Sequence, residues 1–507
     1  VLLLFGRLGL EKTIGNGKHL KNLKKDLLFC NHKKIQIFLS DEECGGKTLC
    51  ANISETRHRQ NTLDLKGKAS CMAYIAAFNE NRLNAMSTLL TTIFINRNLG
   101  LLWSGQIVAK FGESLFLMAL PFLALDLTGS SMAAGLVQMS SYLPILLFGL
   151  FAGAYIDRTS RRTVMLISDL MRGALVLLIP ALAAFNQLSA LWLGLIAFAI
   201  SGFSAFFVPA RNAMIPELVT GTTYEREVAL LKANSLVQTS EQIAFLVAPL
   251  AVGVLASLMQ PVHLFGITSV TFFISYAFIW AIRTLSPPNA GRANFEKILA
   301  DTKNSLMRLS HNVALRNILL ITSLNNLFLM GAAVVATPVL IKNVLGKGLE
   351  VFALIELIFA VMMLLVGFLM NVFAKQVREI GYEKVWAFGL VMDGISYAPY
   401  YFCRSVEELC IYAAIHASFI ILIIVPRSAM IQALAPSDDL GKVFSFLNVA
   451  VAGMTALSSA VTGWLCQQVG APAVFLGVSL LAGLTGVVAW QLVVKQAGQV
   501  SVQRQVN

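Results

Sequence analysis

From about residue 100, apolar runs of membrane-spanning length follow one another along the chain. They fall at 101–125, 131–156, 164–185, 189–209, 236–258, 262–282, 316–342, 349–374, 385–403, 407–427, 443–468 and 471–493. A helix needs about 20 apolar residues to cross a hydrocarbon core of ~30 Å, so the pattern predicts twelve transmembrane helices. The connections are short except at 210–235 and 283–315, and the second of these separates the sixth run from the seventh. The expected architecture is an all-α integral membrane protein of two six-helix bundles, 95–282 and 316–495. A cytoplasmic linker, 283–315, joins them, and a tail, 496–507, follows.

Residues 1–85 break the pattern. They carry basic clusters such as KHLKNLKKD and CNHKK and no run that could span a bilayer. The opening VLLLFGRLGL is too short to cross, and no small-residue cleavage site follows it. Two readings stand. The stretch is a basic cytoplasmic extension touching lipid headgroups, or it is foreign to the natural protein. The second is preferred, because the chain begins with Val while Met86 opens MSTLLTTIFINRNLG directly before the first apolar run. Both readings predict little stable fold there.

Composition agrees with a membrane protein: 57% of residues are hydrophobic and 13% charged, about half the charge of a soluble domain. The net charge of +12 is read as loops facing an anionic leaflet rather than as a nucleic-acid surface. Lys and Arg concentrate on one side. Arg158, Arg161, Arg162, Arg211, Arg226, Lys232, Arg283, Arg292, Lys297, Lys303, Arg308, Lys375, Arg378, Lys384, Arg427 and Lys442 fall at inner connections if the first helix starts inside. Lys342, Lys347 and Arg404 fall outside. That bias predicts cytoplasmic N- and C-termini. The seven cysteines show no CxxC pair, and no His/Cys spacing suits a metal.

An internal repeat supports the six-plus-six division. VPARNAMIPEL ends the fourth run and VPRSAMIQAL the tenth, so Pro209 and Arg211 have counterparts in Pro426 and Arg427. Repeated halves are what a transporter built on rocking bundles requires.

Between the second and third runs lies GAYIDRTSRR. An acid at one helix end beside the start of the next can accept backbone N–H groups and pair with arginine, and glycine lets a neighbouring helix approach. This stretch resembles the loop signature of the major facilitator superfamily, G-x-x-x-D-R-x-G-R-R/K. Gly153, Asp157, Arg158, Arg161 and Arg162 match, and Ser160 stands where the family usually has Gly. The resemblance covers about residues 95–495 and implies that the five matching residues gate the cytoplasmic face. Gly112-Glu113, the DLTGS turn and ISDLMRG are similar to the branch of enterobactin exporters and macrolide-efflux permeases. VAPLAVG resembles the antiporter motif of drug exporters in degraded form, with Pro249 and Gly253 retained.

Ionisable residues inside the apolar runs each need an explanation. Lys110 and Glu113, at i,i+3, share a helix face. They form a self-neutralised pair, or Glu113 is a carboxylate on the substrate path. Asp169 and Arg172 have the same spacing nearer the interface, where a structural pair is preferred. Glu241 sits among Asn234, Gln238 and Gln242, as in a hydrated vestibule. Glu356 has no basic neighbour within a turn, so it is protonated or paired across helices. Asp393 is a further candidate for proton coupling, after Glu113 and Glu356 and alongside Glu241. The aromatic groups Phe203, Phe206, Phe207 and Tyr397, Tyr400, Tyr401 line a cavity or simply pack.

An enzyme would need a nucleophile–base or metal constellation, and His263, His311 and His416 lie dispersed along the chain. No phosphate-binding glycine loop is present. The resemblance therefore implies a monomeric secondary active exporter in the bacterial cytoplasmic membrane, in contact with membrane lipids. It needs no cofactor and is powered by the proton gradient. The resemblance implies outward movement of a small amphiphilic, drug-like or siderophore-like molecule by antiport. An importer or lysophospholipid-type permease of the same fold is the alternative, and a non-transporting membrane sensor stands behind both.

Overall fold

The computed structural model describes residues 27–31, 34–38, 97–156, 159–219, 223–283, 307, 309, 311–436 and 439–494. In the N-terminal unit, strand β1, Leu27–Asn31, pairs antiparallel with β2, Lys34–Phe38, with Leu27 opposite Phe38. Its second strand carries a four-residue alternation, Lys34-Ile35-Gln36-Ile37, too short to register as sustained periodicity in the sequence. The second unit is all-α, as expected.

That unit, Thr91–Asn507, contains the helices α1 Arg97–Thr128, α2 Ser131–Ile156, α3 Arg161–Ala184, α4 Ala190–Leu218, α5 Thr223–Leu258 and α6 Pro261–Trp280. Then come α7 Val313–Val344, α8 Leu349–Val372, α9 Tyr382–Ile395, α10 Val406–Leu434, α11 Leu440–Val469 and α12 Ala471–Val494. A short exposed helix, Ala374–Ile380, links α8 to α9. Among the described residues, 11 helices are long and apolar enough to cross a membrane. The ninth is not, because Pro399 helps convert its end to a 3-10 turn, Ala398–Phe402, where a continuous 385–403 helix was expected. Most of the linker, and the tail from 495, lie outside the described residues.

Helix ends follow local chemistry. Ser160, Ser189, Asn312 and Ser405 accept backbone N–H groups at the starts of α3, α4, α7 and α10. Gly470 turns the chain with φ +81° between α11 and α12. The helix α7 loosens into π geometry at Ala332–Ala336 and Leu340–Val344 on either side of Thr337–Val339.

The two halves repeat one packing scheme. In the first, α1 packs on α5 and α6, α3 on α4 and α6, and α2 on α4; in the second, α7 packs on α11 and α12, α9 on α10 and α12, and α8 on α10. Each pairing recurs six helices later. The halves meet through α2 with α11 and α5 with α8, a symmetric pair of seams.

The α2–α11 seam is built of small residues. A Cβ placed on Gly135 would lie 2.8 Å from Gly463 Cα, one on Gly149 3.1 Å from Val449, and one on Gly453 2.9 Å from Leu146. The backbones therefore approach closely at Gly135 and Gly463, as small residues permit in membranes, and side chains of the facing helix fill the space at Gly149 and Gly453. At the end carrying residues 126–131, one apolar cluster draws on both halves, including Leu120, Phe122 and Leu125 with Leu340, Phe352 and Phe475. At the opposite end a second cluster, with Trp386, Met430 and Val443, belongs to the C-terminal half alone.

Candidate functional site

Charged and polar side chains gather inside the first bundle. Lys110 Nζ donates to Glu113 Oε2 at 2.8 Å, about one-third exposed on α1. The two expected coupling carboxylates stand on different halves, Glu113 on α1 and Glu356 on α8. Glu356 itself is half-buried on α8 and has no hydrogen bond or ion pair among the described residues, so the cross-helix partner considered for it is not found there.

Asp169 and Arg172 form an ion pair within α3, with side chains 0% and 3% exposed. Asp169 Oδ2 accepts from Ser275 Oγ at 2.6 Å, and Arg172 donates to Ser204 Oγ at 3.3 Å. The guanidinium lies 4.3 Å from the Phe207 ring and 4.5 Å from the Phe272 ring. Phe207 is thus a cation–π partner and not a cavity wall. Phe206 packs edge-on to Tyr155 at 5.6 Å.

Arg211 departs from expectation. It was counted among loop anchors, yet its side chain is 6% exposed and reaches Glu241 Oε1 at 3.1 Å and Gln106 Oε1 at 3.2 Å. Its helix α4 continues to Leu218, two turns past the apolar run, which draws Arg211 inside. Glu241 is consequently an ion-pair partner as well as a half-wetted group. Among the described residues the repeat counterpart, Arg427, has no matching acid, and its buried Nε has no hydrogen-bond partner.

The loop signature ties three helices together. Arg161 pairs with Glu217 and donates to the Ala213 carbonyl at 3.0 Å; Arg162 donates to the carbonyls of Ile279 at 3.3 Å and Trp280 at 2.5 Å. The start of α3 is thereby bound to the ends of α4 and α6. Ser160, the departure from the family pattern, caps α3 through Thr163 N–H. Asp157 and Arg158 lie outside the described residues, as does the side-chain environment at Gly153. Pro249 and Gly253 lie in α5, where a Cβ on Gly253 would meet Ala353 of α8 at 3.7 Å, on the second seam.

At the other end, Lys342 of α7 pairs with Asp126 of α1, and Gln467 Oε1 of α11 accepts from Ser130 Oγ and Ser131 N–H, both at 3.1 Å. Phe122 and Phe352 pack at 5.6 Å beneath them. These contacts close that end across the halves. In the second half, Asp393 of α9 faces His416 of α10 at 3.2 Å. Tyr397 and Tyr400 are 1% exposed and pack on Phe475, so they belong to the core. Sequence spacing could not reveal the Arg211–Glu241 or Asp393–His416 pairs, since each joins two helices. No group of three or more His, Cys, Asp or Glu suited to a metal occurs among the described residues.

The arrangement suits a transporter: paired charges inside a two-bundle membrane fold, sealed at one end. The solved peptide transporter PepTSo superposes with TM-score 0.62 at 14% identity, covering 80% of this chain and 99% of that one. The nucleoside transporter NupG superposes with TM-score 0.61 at 13% identity, covering 78% and 99%; at such identity these likenesses establish the fold alone. In sequence, the chain is 26% identical to the multidrug efflux pump Tap of Mycolicibacterium fortuitum over 396 residues, 76% of this chain and 92% of that protein. It is 28% identical to macrolide efflux protein A of Streptococcus pyogenes over 159 residues, 31% of this chain and 38% of that protein. Residues 102–380 match the Major Facilitator Superfamily, and the chain belongs to that family of multi-pass membrane transporters, not to an enzyme family.

Proposed function

We propose that the protein exports a small amphiphilic, drug-like molecule from the bacterial cytoplasm by proton antiport, as a monomeric unit surrounded by lipid and without a cofactor. The observation that carries this reading is the closure of the two halves on each other at one end by Asp126–Lys342 and Gln467, with the carboxylates Glu113 and Glu356 on opposite halves. Similarity to Tap over most of both chains supports outward movement. Siderophores are a further substrate class under the same reading.

The distribution of Lys and Arg supports cytoplasmic termini, which makes the sealed end the outer one and the described state inward-facing. Opening the outer end means rocking the halves about the two seams. Arg161 and Arg162, held to α4 and α6, keep α3 moving with its bundle, and Asp157 and Arg158 complete the cytoplasmic gate. A proton entering from outside neutralises a carboxylate, and its release inside accompanies substrate loading.

The test is efflux of a macrolide and a siderophore panel from cells expressing the protein, with Asp157→Asn as control. Efflux that stops with an uncoupler and falls in the variant supports the reading. Proton-dependent accumulation instead of efflux overturns the direction and favours the importer.

A further inference from the structure

Asp393 and His416 merit attention as a unit. His416 Nδ1 lies 3.2 Å from Asp393 Oδ1, and both side chains are 2% exposed. The hydrogen bonds around them assign a tautomer. Ser396 O–H has one proton, and donates it to the Asp393 backbone carbonyl at 2.6 Å. The 2.9 Å contact between Ser396 Oγ and His416 Nδ1 therefore needs the proton on Nδ1. Asp393 Oδ1 has this ion contact but no aligned hydrogen bond.

With Nδ1 protonated, the charge of the pair depends on one more proton, on His416 Nε2 or on the Asp393 carboxyl. With it the pair is neutral. Without it a net negative charge is left in an aromatic shell of Tyr397, 4.2 Å from the imidazole, and Phe359, 5.6 Å away, at a cost that burial makes large.

Among the described residues, the titratable group packed on the pair is Tyr397, directly before the 3-10 turn, with Tyr400 packed on it in turn at 5.3 Å. The Tyr397 and Tyr400 hydroxyls have no hydrogen-bond partner among the described residues.

We propose that Asp393 and His416 bind one exchangeable proton as a single unit, forming a second proton-binding arm in the C-terminal half. This rests on the antiport reading for its role in transport, though not for proton binding itself. Loading and release are proton movements only: the proton comes from water and returns to it through His416 Nε2 or the Asp393 carboxyl. The pair lies beside the core that closes the outer end, since Tyr397, Tyr400 and Phe475 belong to that cluster. Opening that end wets the pair and loads it.

The test is an infrared pH titration of the full chain in lipid nanodiscs, following the carboxyl C=O and imidazole bands. Over the background of the chain's other carboxyls, wild type should show one transition that disappears in both Asp393→Asn and His416→Gln. Ser396→Ala, which leaves both titrating groups, should keep the transition at a shifted midpoint and carries the test if the other variants misfold. An Asp393 band that titrates unchanged in His416→Gln, or no transition in wild type, overturns the proposal. In liposomes, proton-driven erythromycin transport should fall at least about tenfold in both variants, with erythromycin counterflow retained. Unchanged driven transport overturns the role in coupling. Absent driven transport in wild type, with the infrared transition intact, refutes antiport and leaves the proton site standing.

Discussion

Replacing Gly135 by Ala should shift the protein away from the state closed at the residue 126–131 end. The added Cβ would lie 2.5 Å from the Ser459 carbonyl oxygen, 2.8 Å from Gly463 Cα and 3.1 Å from Gly463 N. All three are backbone atoms that no rotamer change can move. Ordinary contact begins at 3.4 Å, so α2 and α11 must part by about 0.9 Å there, the difference between 3.4 and 2.5. Overpacking of this kind costs about 1–3 kcal/mol. Alanine's higher helix propensity, about 1 kcal/mol, cancels, because the residue is helical in both states. A state in which the seam has rolled open avoids the clash, so the equilibrium moves about 5–150-fold toward it. Spin labels on Leu127→Cys and Val344→Cys, at the ends of α1 and α7, report the change as a longer-distance population. Gly463→Ala strikes the same contact from the other side, 2.8 Å from Gly135 Cα, and the double variant should add little to either single one. A distance distribution in Gly135→Ala identical to wild type, with unchanged thermal stability, refutes the close seam.

Arg172→Gln leaves Asp169 buried without its cation and should cost about 3–5 kcal/mol, seen as a large fall in thermal stability in detergent. Arg172→Lys should recover only part of this, because an ammonium cannot stack between Phe207 and Phe272 as a guanidinium does. Lys342→Gln, at a bridge whose side chains are 27% and 45% exposed, should change stability by no more than about 1 kcal/mol. Exchanging the charges at 126 and 342 should restore its effect in a double-mutant cycle. Ser458→Ala removes the acceptor of Gly331 N–H, a 2.7 Å bond at the start of the first π segment. It should cost about 1–3 kcal/mol and speed amide exchange at Gly331.

Much of the fold was legible because lipid demands long apolar helices, and those are written in consecutive residues. Pairs within one helix, Lys110–Glu113 and Asp169–Arg172, were legible for a similar reason: i,i+3 spacing places them together before any tertiary structure is known. The burial of Arg211 was not legible, since its partners Gln106 and Glu241 lie 105 and 30 positions away. His416 looked isolated for the same reason, with Asp393 on the preceding helix. The shortened ninth helix was missed because SYAPYY is apolar enough to read as helix, while Pro399 favours the 3-10 turn that forms.

The contrast between Asp169–Arg172 and Asp393–His416 has a consequence for biogenesis. A segment leaving the ribosome must enter the bilayer on its own merits, and one central charge costs about 2.5–3.5 kcal/mol at that moment. α3 carries acid and base together, so it can be released into lipid already neutralised. α9 brings Asp393 without its partner, in a helix of 14 residues too short to span alone. It should therefore wait in the insertion machinery until α10 delivers His416, and the two should enter as a hairpin. Truncating nascent chains between residues 403 and 416 should leave α9 unintegrated, whereas α3 should integrate without any later helix.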